Sequence, residues 1–95
     1  MKEMKESDKI KLLRFYSPSG NENANNFVVI TEKGQYLISH QTTIVFQKRN
    51  GEILLDPKWN YSRTTSKFRN EFLSEGVVET RRKIYSGEYK IVELN

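Results

Sequence analysis

Thr42-Thr43-Ile44-Val45-Phe46-Gln47-Lys48-Arg49-Asn50-Gly51-Glu52-Ile53-Leu54-Leu55 reads as one β-hairpin. Thr42 to Lys48 is rich in β-branched and aromatic side chains, which suit a pleated, half-buried surface. Asn50-Gly51 separates this run from Glu52 to Leu55. Both residues tolerate positive φ, so the pair predicts a two-residue type I′ turn. Asp56-Pro57 then ends the second strand, because proline has no N–H to give a ladder and restricts the residue before it.

Upstream, Tyr36 to Ser39 forms a strand that leads into this hairpin. Glu32-Lys33-Gly34-Gln35 is a tight turn, and Phe27 to Thr31 (FVVIT) is a strand of its own. The lone histidine, His40, falls between two strands, at a turn or a sheet edge. Asn21 to Asn26 reads as a polar loop that continues the break at Ser17-Pro18-Ser19-Gly20. Ile10 to Tyr16 is the first strand. Residues 1–9 are charged and read as a flexible N-terminus.

Downstream the period changes. Thr64 to Ser74 places Phe68 and Phe72 four apart, with Leu73 beside them, which is one apolar face of a helix. Ser62, Thr64 or Thr65 can cap its start, since a hydroxyl accepts an orphan backbone N–H. Gly76 fits just past its end. Val77 to Tyr85 predicts a second short helix with Val77, Val78, Arg81, Ile84 and Tyr85 near one face, and Gly87 stops it. Tyr89 to Leu94 closes as a strand, with Tyr89, Ile91 and Val92 inward. The fold class is α+β: residues 10–95 form a single domain with a small, mostly antiparallel sheet of five to six strands. Both short helices pack on one face, and no long parallel crossover is implied.

Composition narrows the function. A domain of 95 residues buries only about 60–65% of its unfolded surface, so its stability margin is thin and an internal ligand cavity is not expected. The aromatics, 5 Phe, 5 Tyr and 1 Trp, supply much of the core. With no cysteine, disulfides, thiolate chemistry and Cys-based zinc sites are excluded, as suits a reducing compartment. No apolar run approaches the roughly 20 residues of a membrane span. Met1 to Lys11 lacks the apolar region of a secretory signal. The expectation is a cytoplasmic protein with no membrane partner.

No pattern of catalysis stands out. One histidine supplies neither a triad with a partnered nucleophile nor a His-rich metal site. Glu71, Glu75 and Glu79 sit at helix-surface spacing, without a second acid that must converge on them. The glycines stand singly at turns and form no phosphate loop. No catalytic residue, cofactor, metal or small-molecule substrate is expected.

Charge is concentrated downstream. Residues 1–47 hold six Lys/Arg against five Asp/Glu, whereas residues 48–95 hold ten against seven. Between Lys58 and Asn70 there are four basic residues and no acid. The segment Trp59-Asn60-Tyr61-Ser62-Arg63-Thr64-Thr65-Ser66-Lys67-Phe68-Arg69-Asn70 combines aromatics, hydroxyls and cations, and it enters a helix N-terminus that favours an anion. In one reading Thr64, Thr65 and the backbone hold a phosphate, Arg63 and Lys67 neutralise it, Trp59 or Tyr61 stacks on a base, and Arg69 belongs to the same binding run. In the other, the hydroxyls are caps, the two aromatics anchor the sheet edge and the cations are a solvated face. Arg82 and Lys83 extend the basic surface only if the fold brings them beside Arg63 and Lys67. Consecutive helical residues fan apart by about 100° each, so Arg81, Arg82 and Lys83 cannot all meet one ligand.

Two blocks carry a family resemblance. Ser39-His40-Gln41-Thr42-Thr43-Ile44-Val45 is one; Trp59-Asn60-Tyr61-Ser62-Arg63-Thr64-Thr65-Ser66-Lys67 followed by Phe72-Leu73 is the other. Together they resemble an uncharacterised family of small phage and mobile-element proteins with the pattern S-Y-x-T, then W-x-Y-S-x-T-T-x-K-H, then F-L. This chain departs from the pattern at His40, where Tyr is usual, and at Phe68, where His is usual. The resemblance implies a phage or mobile-element origin. On that basis the expected function is a small non-catalytic inhibitor of a host defence protein, such as a CRISPR effector nuclease, in the bacterial cytoplasm. The alternative is a DNA- or RNA-binding module that uses residues 58–69 and 81–83. A third reading is an assembly protein whose edge strands pair.

Overall fold

The computed structural model describes residues 11–16 and 22–95, with side chains from Asn25 onward. The expected flexible start at 1–9 and the break at 17–20 lie outside the described residues. Five strands run in sequence: β1 (Lys11–Tyr16), β2 (Glu22–Thr31), β3 (Gly34–Ser39), β4 (Thr42–Lys48) and β5 (Ile53–Leu55). Helices α1 (Arg63–Leu73) and α2 (Val77–Ser86) follow, and β6 (Tyr89–Ile91) closes the sheet. The six strands lie in the order β1-β2-β3-β4-β5-β6, so the fold is α+β with a mostly antiparallel sheet.

β6 is the exception. It pairs parallel to β5, with Ile53 opposite Tyr89 and Leu55 opposite Ile91. No parallel crossover is expected from the sequence, yet the helical pair is itself the crossover. Parallel neighbours need a connection long enough to return the chain to the same end, and two short helices provide it.

Alternation sets the two faces. Val28, Leu37, Val45, Ile53 and Leu55 are buried together with Phe68 of α1 and Tyr89 of β6. On the opposite face Val29, Tyr36, Phe46 and Leu54 line up across four strands by register, and the Tyr36 and Phe46 rings stack 4.3 Å apart. Ile44 and Val45 are both fully buried although adjacent. The register steps from Leu37–Val45 to Ile38–Thr43, so Ile44 is the extra residue of a β-bulge, and both side chains can face the core.

The turns exchange roles relative to the sequence reading. At Asn50-Gly51 only Gly51 has positive φ, 94°. The Gly51 N–H donates to the Lys48 carbonyl at 2.9 Å and the Lys48 N–H to the Glu52 carbonyl at 2.8 Å. This is a three-residue loop with a glycine bulge, not a type I′ turn. The positive-φ pair lies instead at His40 (49°) and Gln41 (67°), between paired Ser39 and Thr42. Gln41 in particular does not favour that conformation, which Gly, Asn and Asp take most readily. Replacing His40-Gln41 by Asn-Gly is therefore expected to stabilise the domain by about 1–2 kcal/mol. A thermal melt with no gain would show that the tip is held by contacts worth as much as its strain.

β2 begins earlier than expected. The segment read as a polar loop, Asn21 to Asn26, is strand from Glu22 onward. Asn26 is fully buried; its Oδ1 accepts from the Ser39 hydroxyl at 2.5 Å, and that hydroxyl lies 2.8 Å from Thr65 Oγ1 of α1. The internal hydrogen bonds of such a polar chain offset the desolvation cost of its members, so it can cross the core.

The helix ends also differ. Ser62, one of three expected caps, accepts the Thr65 N–H at 3.1 Å. Ser74, not Gly76, takes the left-handed C-cap of α1 (φ 57°), and Gly76 becomes the N-cap of α2. The inward residues of α2 are Val77, Thr80 and Ile84, whereas Val78 and Tyr85 are 79% and 84% exposed. Thr80 turns in because its hydroxyl donates to Glu75 Oε2 at 2.6 Å and lies 3.1 Å from the Gly76 carbonyl. Ile91 and Val92, expected inward, are exposed, since β6 is a three-residue edge strand.

Asp56 locks the end of β5. Its Oδ1 accepts from the Leu94 N–H (2.9 Å) and from Asn95 Nδ2 (3.0 Å), and its Oδ2 from the Lys58 N–H (2.9 Å). Burial pushes the carboxyl up, but the Leu94 and Lys58 amides, Asn95 and the Lys58 charge together hold it below the ordinary value. The group thus stabilises the fold above the unfolded carboxylate value, about 3.9, and that contribution is lost as pH falls through the lower folded value. Asp56→Asn is expected to cost about 1–3 kcal/mol at pH 7, because it turns an acceptor into a donor facing donors. The gap to wild type should narrow in acid. A pH-independent gap in urea melts would contradict this assignment.

Candidate functional site

The segment after β5 is built by tight local bonds. The Trp59 N–H donates to the Asp56 carbonyl at 2.9 Å and the Tyr61 N–H to the Lys58 carbonyl at 3.3 Å. Pro57 sits at the second position of the first turn, where its fixed φ is favoured. These turns set Trp59, Asn60 and Tyr61 beside the start of α1.

An open depression of about 630 Å³ lies there, lined by Asn60, Tyr61, Ser62, Arg63, Ser66, Lys67, Asn70 and Glu71. Tyr61 is 48% exposed. Arg63 and Lys67 are exposed, and neither has an acidic partner among the described residues. Glu71 is the one acid in the lining.

Behind this face sits Arg69, fully buried. Its Nη1 donates to the Trp59 carbonyl and to Asn60 Oδ1, both at 2.9 Å, and to Ser66 Oγ at 3.3 Å; its Nη2 donates to Asn70 Oδ1 at 2.8 Å. The guanidinium lies 4.9 Å from the Trp59 ring centroid, and that of Arg81 lies 5.7 Å from the same ring. No carboxylate is among its hydrogen-bond partners, and its buried Nε has none at all. Burial depresses the Arg69 pKa and the Arg81 charge depresses it further, with Glu75 opposing.

The sequence-derived residues therefore divide. Tyr61, Arg63 and Lys67 meet around one depression, with exposed Thr64 on the same first turn of α1. Thr65, Arg69 and the half-buried Trp59 lie behind that face: Thr65 bonds Ser39, and Trp59 carries Arg69. Arg82 and Lys83 are on α2 and are neutralised there. Arg82 Nε donates to Glu79 at 3.0 Å. Lys83 Nζ lies 2.8 Å from Glu75 Oε1, which also accepts from the Tyr89 hydroxyl at 2.9 Å. The Glu75 carboxylate raises the Lys83 pKa. Burial pushes Glu75 up, but the bonds from Lys83, Thr80 and Tyr89 outweigh it and hold the carboxyl low. This cluster clasps the α1–α2 link to α2 and β6.

Sequence reasoning missed Asn60, Ser66 and Asn70 as part of the lining. Ser66 and Asn70 are four apart on α1, the one pattern that pointed to them, but polar residues at that spacing are also what a solvated helix face shows.

A second depression, about 520 Å³, opens at the tips of the β2–β3 and β4–β5 hairpins. Its cations are occupied: Lys48 pairs with Glu52 at 2.7 Å, and Arg49 lies 3.5 Å from the Glu32 carbonyl. Among the described residues no group of three or more His, Asp or Glu is placed to hold a metal ion, and no helix is long and apolar enough to cross a membrane.

The sequence blocks 39–45 and 59–67 meet in space through Ser39 and Thr65. No curated protein and no solved structure matches the chain. The model of a family of unknown function, DUF8033, matches residues 10–88, more than half of the chain, and the protein belongs to that family.

Proposed function

We propose that this protein acts by binding rather than by catalysis, and that it engages a nucleic-acid strand through the α1 face. The observation that supports this is the contrast between cations. Arg63 and Lys67 stand without acidic partners beside exposed Tyr61, whereas Arg82 and Lys83 are paired on α2. Cations without acidic partners attract phosphates, and an exposed aromatic ring lining the same depression offers a stacking platform for a base. Anisotropy of labelled DNA and RNA strands tests the reading. With about three phosphates neutralised, affinity should fall roughly 20- to 40-fold between 50 and 200 mM salt. The double change Arg63→Ala, Lys67→Ala should remove most of that slope. No binding at the lower salt would sink the proposal.

A second reading follows from α2. Val78 and Tyr85 point outward two turns apart, with Arg81 and Arg82 between them. Exposed aromatic and Arg side chains on one helix are typical anchors of protein interfaces. With the resemblance to phage and mobile-element proteins, this supports an antagonist of a host defence protein, such as a CRISPR effector nuclease, acting in the bacterial cytoplasm. Inhibition of a purified effector that is lost on Tyr85→Ala would favour it; failure to bind or slow any such effector would count against it.

A further inference from the structure

We propose that buried Arg69 fixes the hydrogen-bond polarity of the α1 depression, leaving the Asn60 and Asn70 amide N–H groups as its unpaired donors, and that the depression takes a phosphate group. This rests on the same face as the nucleic-acid reading and names the chemistry it recognises.

Arginine has donors and no acceptor. An amide facing it must present oxygen, so the orientation of both asparagines follows from their contact with Arg69. Asn60 Oδ1 accepts from Arg69 Nη1 (2.9 Å) and from the Ser66 hydroxyl (2.7 Å); Asn70 Oδ1 accepts from Arg69 Nη2 (2.8 Å). Each Nδ2 is left with two N–H groups and no protein acceptor among the described residues, in a depression that both asparagines line. Arg63 and Lys67 add positive charge on the rim.

The electrostatics point the same way. Arg69 is buried without a carboxylate, and the nearby Glu75 is spent on Lys83, Thr80 and Tyr89. An anion in the depression would compensate a charge that the chain leaves unpaired. Phosphate suits it better than a neutral ligand, since its ionised oxygens accept and charge-assisted bonds are the stronger kind. Glu71 on the rim opposes the anion and limits affinity.

Asn60→Asp and Asn70→Asp test this without dismantling the site. Each keeps an oxygen for Arg69, and gives it a carboxylate, while replacing the outward donor by a negative oxygen. Thermal melts should show folds at least as stable as wild type. Side-chain amide resonances of Asn60 and Asn70 in the wild type should shift on titration with inorganic phosphate, and either aspartate should weaken binding of phosphate and of an oligonucleotide by about tenfold or more. Glu71→Gln should strengthen both. If phosphate shifts the amides and the oligonucleotide does not bind, the inference holds and the nucleic-acid reading falls. If the oligonucleotide binds both aspartate variants as it binds wild type, with the amides unmoved by phosphate, the inference is overturned and the nucleic-acid reading survives. If neither ligand binds, both fall.

Discussion

Arg69→Met is expected to lower stability by about 3 kcal/mol, a drop of roughly 12–24 °C in Tm for a domain of this size. Methionine replaces the buried stem in volume, so little of the loss comes from a cavity. What disappears is the fork of donors. The Trp59 carbonyl loses its guanidinium partner, and the Asn60 and Asn70 oxygens lose theirs, although these two can turn toward water. A desolvated cation stacked on Trp59 is worth about 2 kcal/mol. Against this, methionine removes a buried charge that has no carboxylate, and buried charges are expensive. The hydrogen bonds are expected to win, because four of them converge on one group. Arg69→Lys should not rescue, since one ammonium cannot reach Trp59 and Asn70 together as the two Nη atoms do. Chemical denaturation checks both variants; an Arg69→Met protein as stable as wild type would mean that desolvation dominates.

Gly34→Ala is expected to cost about 3–5 kcal/mol, enough to unfold much of a small domain at 37 °C. Gly34 opens β3 with φ of 146°. An added Cβ would overlap the Gln47 carbonyl oxygen and come within 2.9 Å of Cε1 of the Phe46 ring. The ring could swing, but the carbonyl belongs to β4, which pairs with β3 at Gly34–Lys48, so backbone must move. Gly51→Ala is the control. Its φ is 94°, yet nothing lies within 4 Å of the new Cβ, so only the conformational penalty of about 1–2 kcal/mol should appear. Equal losses at the two glycines would show that φ alone, not the clash, sets the cost.

Much of the fold is legible in the sequence because local signals agree with the tertiary outcome. The β-branched runs at 27–31 and 42–48, the period change at α1 and the stop at Gly87 all reappear close to where they are read. The misses were decided by contacts that no local pattern announces, some distant in sequence and some only a few residues away. Glu22 to Asn26 looks like loop because it is polar, but Ser39 and Thr65 satisfy Asn26 inside the core. Asn-Gly looks like the type I′ turn, but the bulge at Ile44 and the pairing of Ser39 with Thr42 place that geometry at His40-Gln41. α2 looks amphipathic through its valines, but the bond from Thr80 to Glu75 rolls it. For the candidate site, the residue types of Tyr61, Arg63 and Lys67 are visible in the sequence. The burial of Arg69, and with it the polarity of Asn60 and Asn70, depends on the packing of α1 against the sheet and is not.

The nucleic-acid strand we propose for the α1 face would leave a local footprint on the protein. A two-dimensional NMR titration of isotopically labelled protein with a short single-stranded oligonucleotide at low salt would reveal it. The expected result is a contiguous set of shifted resonances at Asn60, Tyr61, Arg63, Lys67 and Asn70, including the two side-chain amides, with β2, β3 and the outer side of α2 unchanged. Shifts confined to Val78, Tyr85 and their neighbours, or to the Tyr36–Phe46 face of the sheet, would contradict it.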